Sequence, residues 1–201
     1  NDDFDFEWVS AQDGFVTSSL VPGTYNIAIG IWGYQTLCSE FTIESSQVEF
    51  AFELDKGYSD DFSIDLGWIV ENESSLTAGA WERGIPNGTD YQGQPMNANS
   101  DAAGDCGSQA YITGNTPNAS FYEADVDGGL TSIYSPIMDL SSFQTVTLSF
   151  STWFQNAGGQ GTPNDSLVIK LTNGIETIGL YYRSVQSSSA IWEQHIIEVS
   201  A

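Results

Sequence analysis

The chain has 201 residues, the size of one large or two small domains. Its 27 acids against four bases give a formal charge of −23, a field that repels nucleic acid and anionic membrane and attracts cations. With 40% hydrophobic and 15% charged residues it is too apolar for a disordered acidic tail, and no apolar run reaches the roughly 18 residues of a membrane span.

The sequence opens on NDDFDF without a signal peptide, which reads as a removed leader or a piece of a longer chain. Scarce Lys and abundant Ser, Thr, Gly and Asn fit an acidic extracellular protein.

Alternation, not helical periodicity, runs through the chain. Tyr25, Ile27, Ile29 and Ile31 predict a first strand, and Val48, Phe50, Phe52 and Leu54 another. A domain boundary is expected near Lys56-Gly57, dividing 1–56 from 57–201. The stretch from Pro86 to Pro117 is polar and Gly/Asn-rich, and is expected to be a decorated or functional loop rather than scaffold. Val146, Leu148, Phe150, Thr152 and Phe154 form one strand face; Leu167, Ile169 and Leu171 form another, as do Ile178, Leu180 and Tyr182. Trp192 to Val199 predicts the last strand. Asp-Gly, Pro-Gly and Asn-Gly turns separate these runs, so the fold class expected is all-β. Cys38 and Cys106, the only cysteines, fall in different expected domains. A disulfide and two separate buried thiols both remain open.

Glu123, Asp125 and Asp127 alternate into Gly128-Gly129. In an extended segment their carboxylates share one side, and the glycines let the backbone bend. Carboxylates converging with loop carbonyls suit Ca²⁺, which takes about six to eight oxygens in loose geometry. The competing reading is a solvated acidic turn.

Residues 14–55, through Gly14-Phe15, Leu20-Val21-Pro22-Gly23-Thr24-Tyr25 and Gly33-Tyr34-Gln35-Thr36, resemble the second half of a carboxypeptidase-regulatory-like domain, a small transthyretin-like β-sandwich. Residues 58–201 resemble the cleaved-adhesin and MAM-like jelly rolls that follow such modules in secreted bacterial proteins, including extracellular zinc carboxypeptidases and surface adhesins. That likeness rests on Asp60-Asp61-Phe62, Gly67-Trp68, Trp81-Glu82-Arg83-Gly84, Tyr111-Ile112-Thr113-Gly114, Asp125 to Gly129, Ser135-Pro136 and Asp139-Leu140-Ser141. The resemblance implies a structural calcium ion. It adds Asp60, Asp61 and Asp165 as ligand candidates to Glu123, Asp125 and Asp127. The first strands of the former fold are expected to lie before residue 1 or to be divergent in NDDFDFEWVS, and the latter fold would add a strand after Ala201, which reads as two clipped ends; an open edge would accept a partner strand.

Glu123 to Asp127 also approaches the E-x-D-x-x-E signature of jelly-roll glucanases, whose paired carboxylates act as nucleophile and acid/base. Ala124 replaces the usual bulky residue and no second Glu follows, so catalysis is not expected; that rival predicts loss of β-glucanase turnover in Glu123→Gln. His195, the only histidine, has no zinc-type spacing to either Cys and no G-x-S-x-G elbow, and reads as structural. Trp68, Trp81, Trp153 and Trp192 read as core, whereas Trp32, Tyr91 and Tyr122 lie near loops and could stack on sugar rings. Four Asn-x-Ser/Thr sequons, at Asn72, Asn87, Asn118 and Asn164, mark surface loops.

The expectation is a small transthyretin-like β-sandwich followed by a jelly-roll β-sandwich, secreted or at the cell surface. It is read as a non-catalytic accessory or adhesion module of a larger protein, with Ca²⁺ as structural cofactor. Its expected partners are other domains of the parent chain, like subunits or surface glycans, with no nucleic acid and no membrane insertion. A filament subunit assembled by strand exchange and a carbohydrate-binding module are the alternatives.

Overall fold

The computed structural model describes residues 9–11, 13–46, 49–104, 106–117, 120, 125–156, 162–184 and 189–200. The chain is all-β: among the described residues there are strands and turns and no helix. Two compact units are formed, one from residues 1–27 and 39–53, the other from 28–38 and 54–201. The expected boundary at 56/57 lies close to the 53/54 division, while 28–38 belong with the second unit.

Strands β1 (Gly23–Ile29) and β2 (Leu37–Ile43) pair as a two-stranded sheet. Within the first unit Thr24 and Thr42 share a 3.1 Å hydroxyl bond, and Tyr25 Oη donates to the Val21 carbonyl at 2.7 Å. Of the expected strand from Val48 to Leu54, Val48 lies outside the described residues and Glu49 to Asp55 form no ladder. Their aromatic side chains pack edge-on against Phe41 instead, Phe50 at 4.6 Å and Phe52 at 5.4 Å between ring centroids. Alternation reports which side chains share a face; a ladder needs, in addition, a neighbouring backbone in register.

The second unit holds short strands first: β3 (Ile69–Asn72), β4 (Trp81–Gly84), β5 (Asp90–Tyr91), β6 (Gln94–Pro95), β7 (Ala110–Thr113) and β8 (Thr131–Tyr134). Pairing is antiparallel, β3 with β8, β4 with β7 and β5 with β6. Four longer strands follow: β9 (Thr145–Phe154), β10 (Ser166–Thr172), β11 (Thr177–Ser184) and β12 (Ser189–Ser200). β9 pairs with β12 and β10 with β11, again antiparallel.

Val146, Leu148, Phe150 and Thr152 alternate with exposed Thr147, Ser149 and Ser151, so β9 covers the expected face, as β10 does through Leu167, Ile169 and Leu171. β11 departs from expectation. The register slips between Ile169 and Lys170, whose partners are Tyr181 and Gly179. One extra residue in a ladder reverses the facing of everything beyond it. Leu180 and Tyr181 are therefore the half-buried pair, while Ile178 is 48% and Tyr182 66% exposed.

The deepest apolar burial lies in the stretch read as a loop. Met96, Ala98, Ala110 and Ile112 are the buried hydrophobic side chains among the described residues. Two indoles fix this stretch: Trp153 Nε1 donates to the Met96 carbonyl at 2.7 Å and Trp192 Nε1 to the Ser100 carbonyl at 2.9 Å. Asn87 and Asn115 bind each other and the local backbone. Residues 86–117 are thus scaffold, closed by amide side chains where periodic apolar residues are lacking.

Candidate functional site

The DVDGG turn is built by close backbone approach. Thr77 N–H donates to the Asp127 carbonyl at 2.8 Å, Asp127 N–H returns to Ala78 at 3.3 Å, and the Thr77 hydroxyl adds a third bond to Asp127 at 3.2 Å. Gly79 (φ 75°) and Gly128 (φ 84°) occupy the left-handed region. A Cβ at Gly79 would overlap the Asp125 carbonyl, and one at Gly128 would overlap the Ser75 carbonyl. Glu73 closes the turn by accepting from Leu130 N–H at 3.1 Å.

Asp165, some forty residues further on and just before β10, joins this turn electrostatically. Burial raises its carboxyl above the ordinary range, and the charges of Asp125 and Asp127 raise it further. Asp125 is raised by burial and then by Asp127, against the pull of Val126 N–H, which donates to its Oδ1 at 3.1 Å. Buried Asn156 holds the approach to Asp165 through a 2.9 Å bond from Nδ2 to the Asp165 carbonyl. The Asp125 and Asp127 charges thus reach Asp165, but among the described residues these three carboxylates do not bring their oxygens within 4.8 Å of one another. Glu123, the fourth expected member, lies outside the described residues, as does Tyr122.

Asp60 and Asp61 have other partners. Asp60 accepts from Phe62 N–H and from Trp68 Nε1, each at 2.8 Å, and burial raises its carboxyl. Asp61 accepts from Ser63 N–H at 3.0 Å and from Cys106 N–H at 3.1 Å. Both act as Asx-type anchors. They shape the turn in which Phe62 adopts φ 63°, whose carbonyl accepts from Arg83 at 2.7 Å.

Cys38 and Cys106 are joined as a disulfide, with Cα atoms 5.8 Å apart. Both fall in the second unit, because 28–38 belong there. Cys38, Cys106 and Asp61 place their ligand-type atoms within 4.8 Å of one another. With the two sulfurs bonded to each other no thiolate is offered to a metal, and Asp61 serves to seat the bridge. Sequence reading left this pairing open, since the position of 28–38 is a tertiary fact.

Trp32, Tyr58, Phe62, Trp68 and Tyr111 form a contiguous row of rings. Trp32 packs on Tyr58 at 5.3 Å and on Trp68 at 6.2 Å, and Phe62 packs on Trp68 at 5.3 Å and Tyr111 at 5.0 Å, mostly edge-on. Trp32 Nε1 donates to the Ile137 carbonyl at 2.8 Å, which ties this ring into the fold.

A second polar cluster, which sequence reading missed, surrounds His195. Its Nε2 lies 2.9 Å from Thr152 Oγ1, and its ring lies 4.5 Å from Tyr181 and 5.1 Å from Phe150. Arg183 Nε donates to Tyr181 Oη at 2.7 Å, and Arg183 pairs with Glu193. The signal available was that Glu193 and His195 share a strand face; their partners on β11 depended on the slipped register.

Fold and site together define a disulfide-linked, strongly acidic, all-β chain with a carboxylate-lined turn. No protein-family model, curated protein or solved structure matches it.

Proposed function

We propose that this chain is a non-catalytic accessory or adhesion module of a larger secreted or cell-surface protein, with a calcium-stabilised jelly roll as its second part. The observation that supports the reading is the DVDGG turn held by close backbone contact with Thr77 and Ala78, with the charges of Asp125 and Asp127 acting on Asp165. The disulfide supports an oxidising compartment, and no described helix is long and apolar enough to cross a membrane. Asp125, Asp127 and Asp165 would hold the ion, with Glu123 a further candidate. The bound ion would neutralise their repulsion and tie the turn before β8 to the start of β10. Its role is structural: ligand linkage stabilises by about 2.7 kcal/mol at a free concentration a hundredfold above Kd.

The test is thermal unfolding in EDTA and in millimolar Ca²⁺, for wild type, Asp127→Ala and Asp165→Asn. A midpoint raised by Ca²⁺ in wild type and unmoved in both variants supports the site; an unchanged wild-type midpoint removes it. The sign for the metal-free protein is distinct. Carboxyls raised on folding oppose stability at neutral pH and cease to do so as pH falls through their folded values. Asp165→Asn is therefore expected to raise the EDTA midpoint by a few degrees while abolishing the calcium response.

One observation favours the filament reading as second. The β9/β12 and β10/β11 ladders are two-stranded, and they expose Ile191, Ile196, Tyr182 and Val168 on their outer faces. Concentration-dependent fibrils in electron micrographs would support it, and a monodisperse monomer at high concentration would remove it.

A further inference from the structure

The two long ladders of the second unit meet through one polar cluster. From β9 comes Thr152, from β11 Tyr181 and Arg183, and from β12 Glu193 and His195. Thr152 Oγ1 bridges both partners, at 2.9 Å from His195 Nε2 and 3.4 Å from Tyr181 Oη. The imidazole lies between Phe150 and Tyr181. These contacts join β9/β12 to β10/β11 side chain to side chain, with Phe150 also packing on Tyr181 at 5.5 Å between ring centroids.

The charge inventory around the imidazole is short. β9 carries no ionisable side chain from Thr145 to Phe154. β11 presents the Arg183 guanidinium and the Tyr181 phenol. β12 presents Glu193, already paired with Arg183, while Glu198 faces outward. On β10, Lys170 is exposed on the outer face, and Asp165, before the strand, lies with Asp125 and Asp127. Among the described residues Glu193 is a carboxylate at this interface, and Arg183 pairs with it. A proton added to His195 places a second cation beside that guanidinium, and the two compete for Glu193 in a partly desolvated setting.

We propose that His195 is a proton-operated latch: neutral, it locks the β10/β11 ladder onto the β9/β12 ladder, and protonated, it releases it. Burial first and then Arg183 lower its affinity for protons, in keeping with this role. A histidine held neutral by the fold contributes stability that is complete above its unfolded midpoint, about pH 6.5. That contribution is lost as pH falls from there toward the folded midpoint. The lost closing equilibrium amounts to about tenfold for each pH unit separating the two midpoints. The charge of −23 acts in the opposite sense at long range and is screened by salt, so added salt sharpens the latch.

The experiment is a proton NMR titration of the single imidazole in the full chain, with hydrogen-exchange protection factors for β10 and β11 at pH 7.5 and 5.5. Expected are a titration midpoint below 6.5 that falls further with added salt, and a severalfold loss of β10/β11 protection at pH 5.5. In His195→Gln, whose amide keeps a bond to Thr152 within reach but carries no proton switch, protection should be the same at both pH values. In Asp165→Asn the pH effect should persist, which separates the latch from the acidic turn. A midpoint at or above 6.5, or an unaltered pH effect in His195→Gln, overturns the proposal. Should that variant fail to fold, the wild-type titration decides alone.

Discussion

The long strands β9 to β12 and the segment from Pro86 to Pro117 contrast sharply. The strands carry the clear apolar alternation, yet their inward side chains are only half-buried. The segment lacks periodicity, yet it supplies Met96, Ala98, Ala110 and Ile112, the buried apolar side chains among the described residues. Periodicity marks which face is covered. Depth depends on enclosure from several sides, and two-stranded ladders cover one face each. The segment is enclosed because Trp153 and Trp192 reach across to its carbonyls and β7 pairs with β4.

Breaking the closure of that segment should have the largest effect. The bridge spans 68 residues and ends within it, so its removal in the Cys38→Ala/Cys106→Ala double variant should lower stability by about 4 kcal/mol, read by urea denaturation. A loss below about 1 kcal/mol would mean that the segment is held without it. The contrast itself is tested by truncating one isoleucine in each region. Ile112→Ala should cost about 2–4 kcal/mol. Outward Ile178→Ala should cost less than about 0.5 kcal/mol, since it lies on the exposed side of the slipped register. Equal costs would mean that β11 buries Ile178 after all. Trp192→Phe falls between these two truncations. It keeps most of the ring packing on Trp153 and removes the donor to Ser100, at a cost of about 1 kcal/mol, with hydrogen exchange rising around residues 96–100.

Legibility followed the same division. The faces of β9 and β10 were readable because side-chain direction in a strand is fixed by local geometry. The faces of β11 were not, because one unpaired residue, Leu180, opposite Ile169 and Lys170 reversed the pattern, and Gly179 beside it was the one mark a sequence offered. Val48 to Leu54 carried a strand pattern, but its described residues from Glu49 on form no ladder, and Phe50 and Phe52 pack on Phe41 instead. In the candidate site, Asp125 and Asp127 could be joined by their spacing alone. Asp165 entered only through the resemblance to jelly rolls, and its carboxyl feels the charges of Asp125 and Asp127. Asp60 and Asp61 were expected beside it, but a sequence does not reveal that their oxygens cap Phe62 and Ser63 and bind Trp68 and Cys106.

By itself the sequence determined an all-β chain, strongly acidic, with its cysteines limited to one possible pair and its acids concentrated at a glycine turn. These follow from composition and local backbone preference, which act within a few residues. Tertiary structure alone decided that Cys38 meets Cys106, that a polar stretch forms the most enclosed region, and that His195 faces Thr152, Tyr181 and the Arg183–Glu193 pair. Each of these depends on strands distant in sequence meeting in one register, and that register is a property of the whole packed chain.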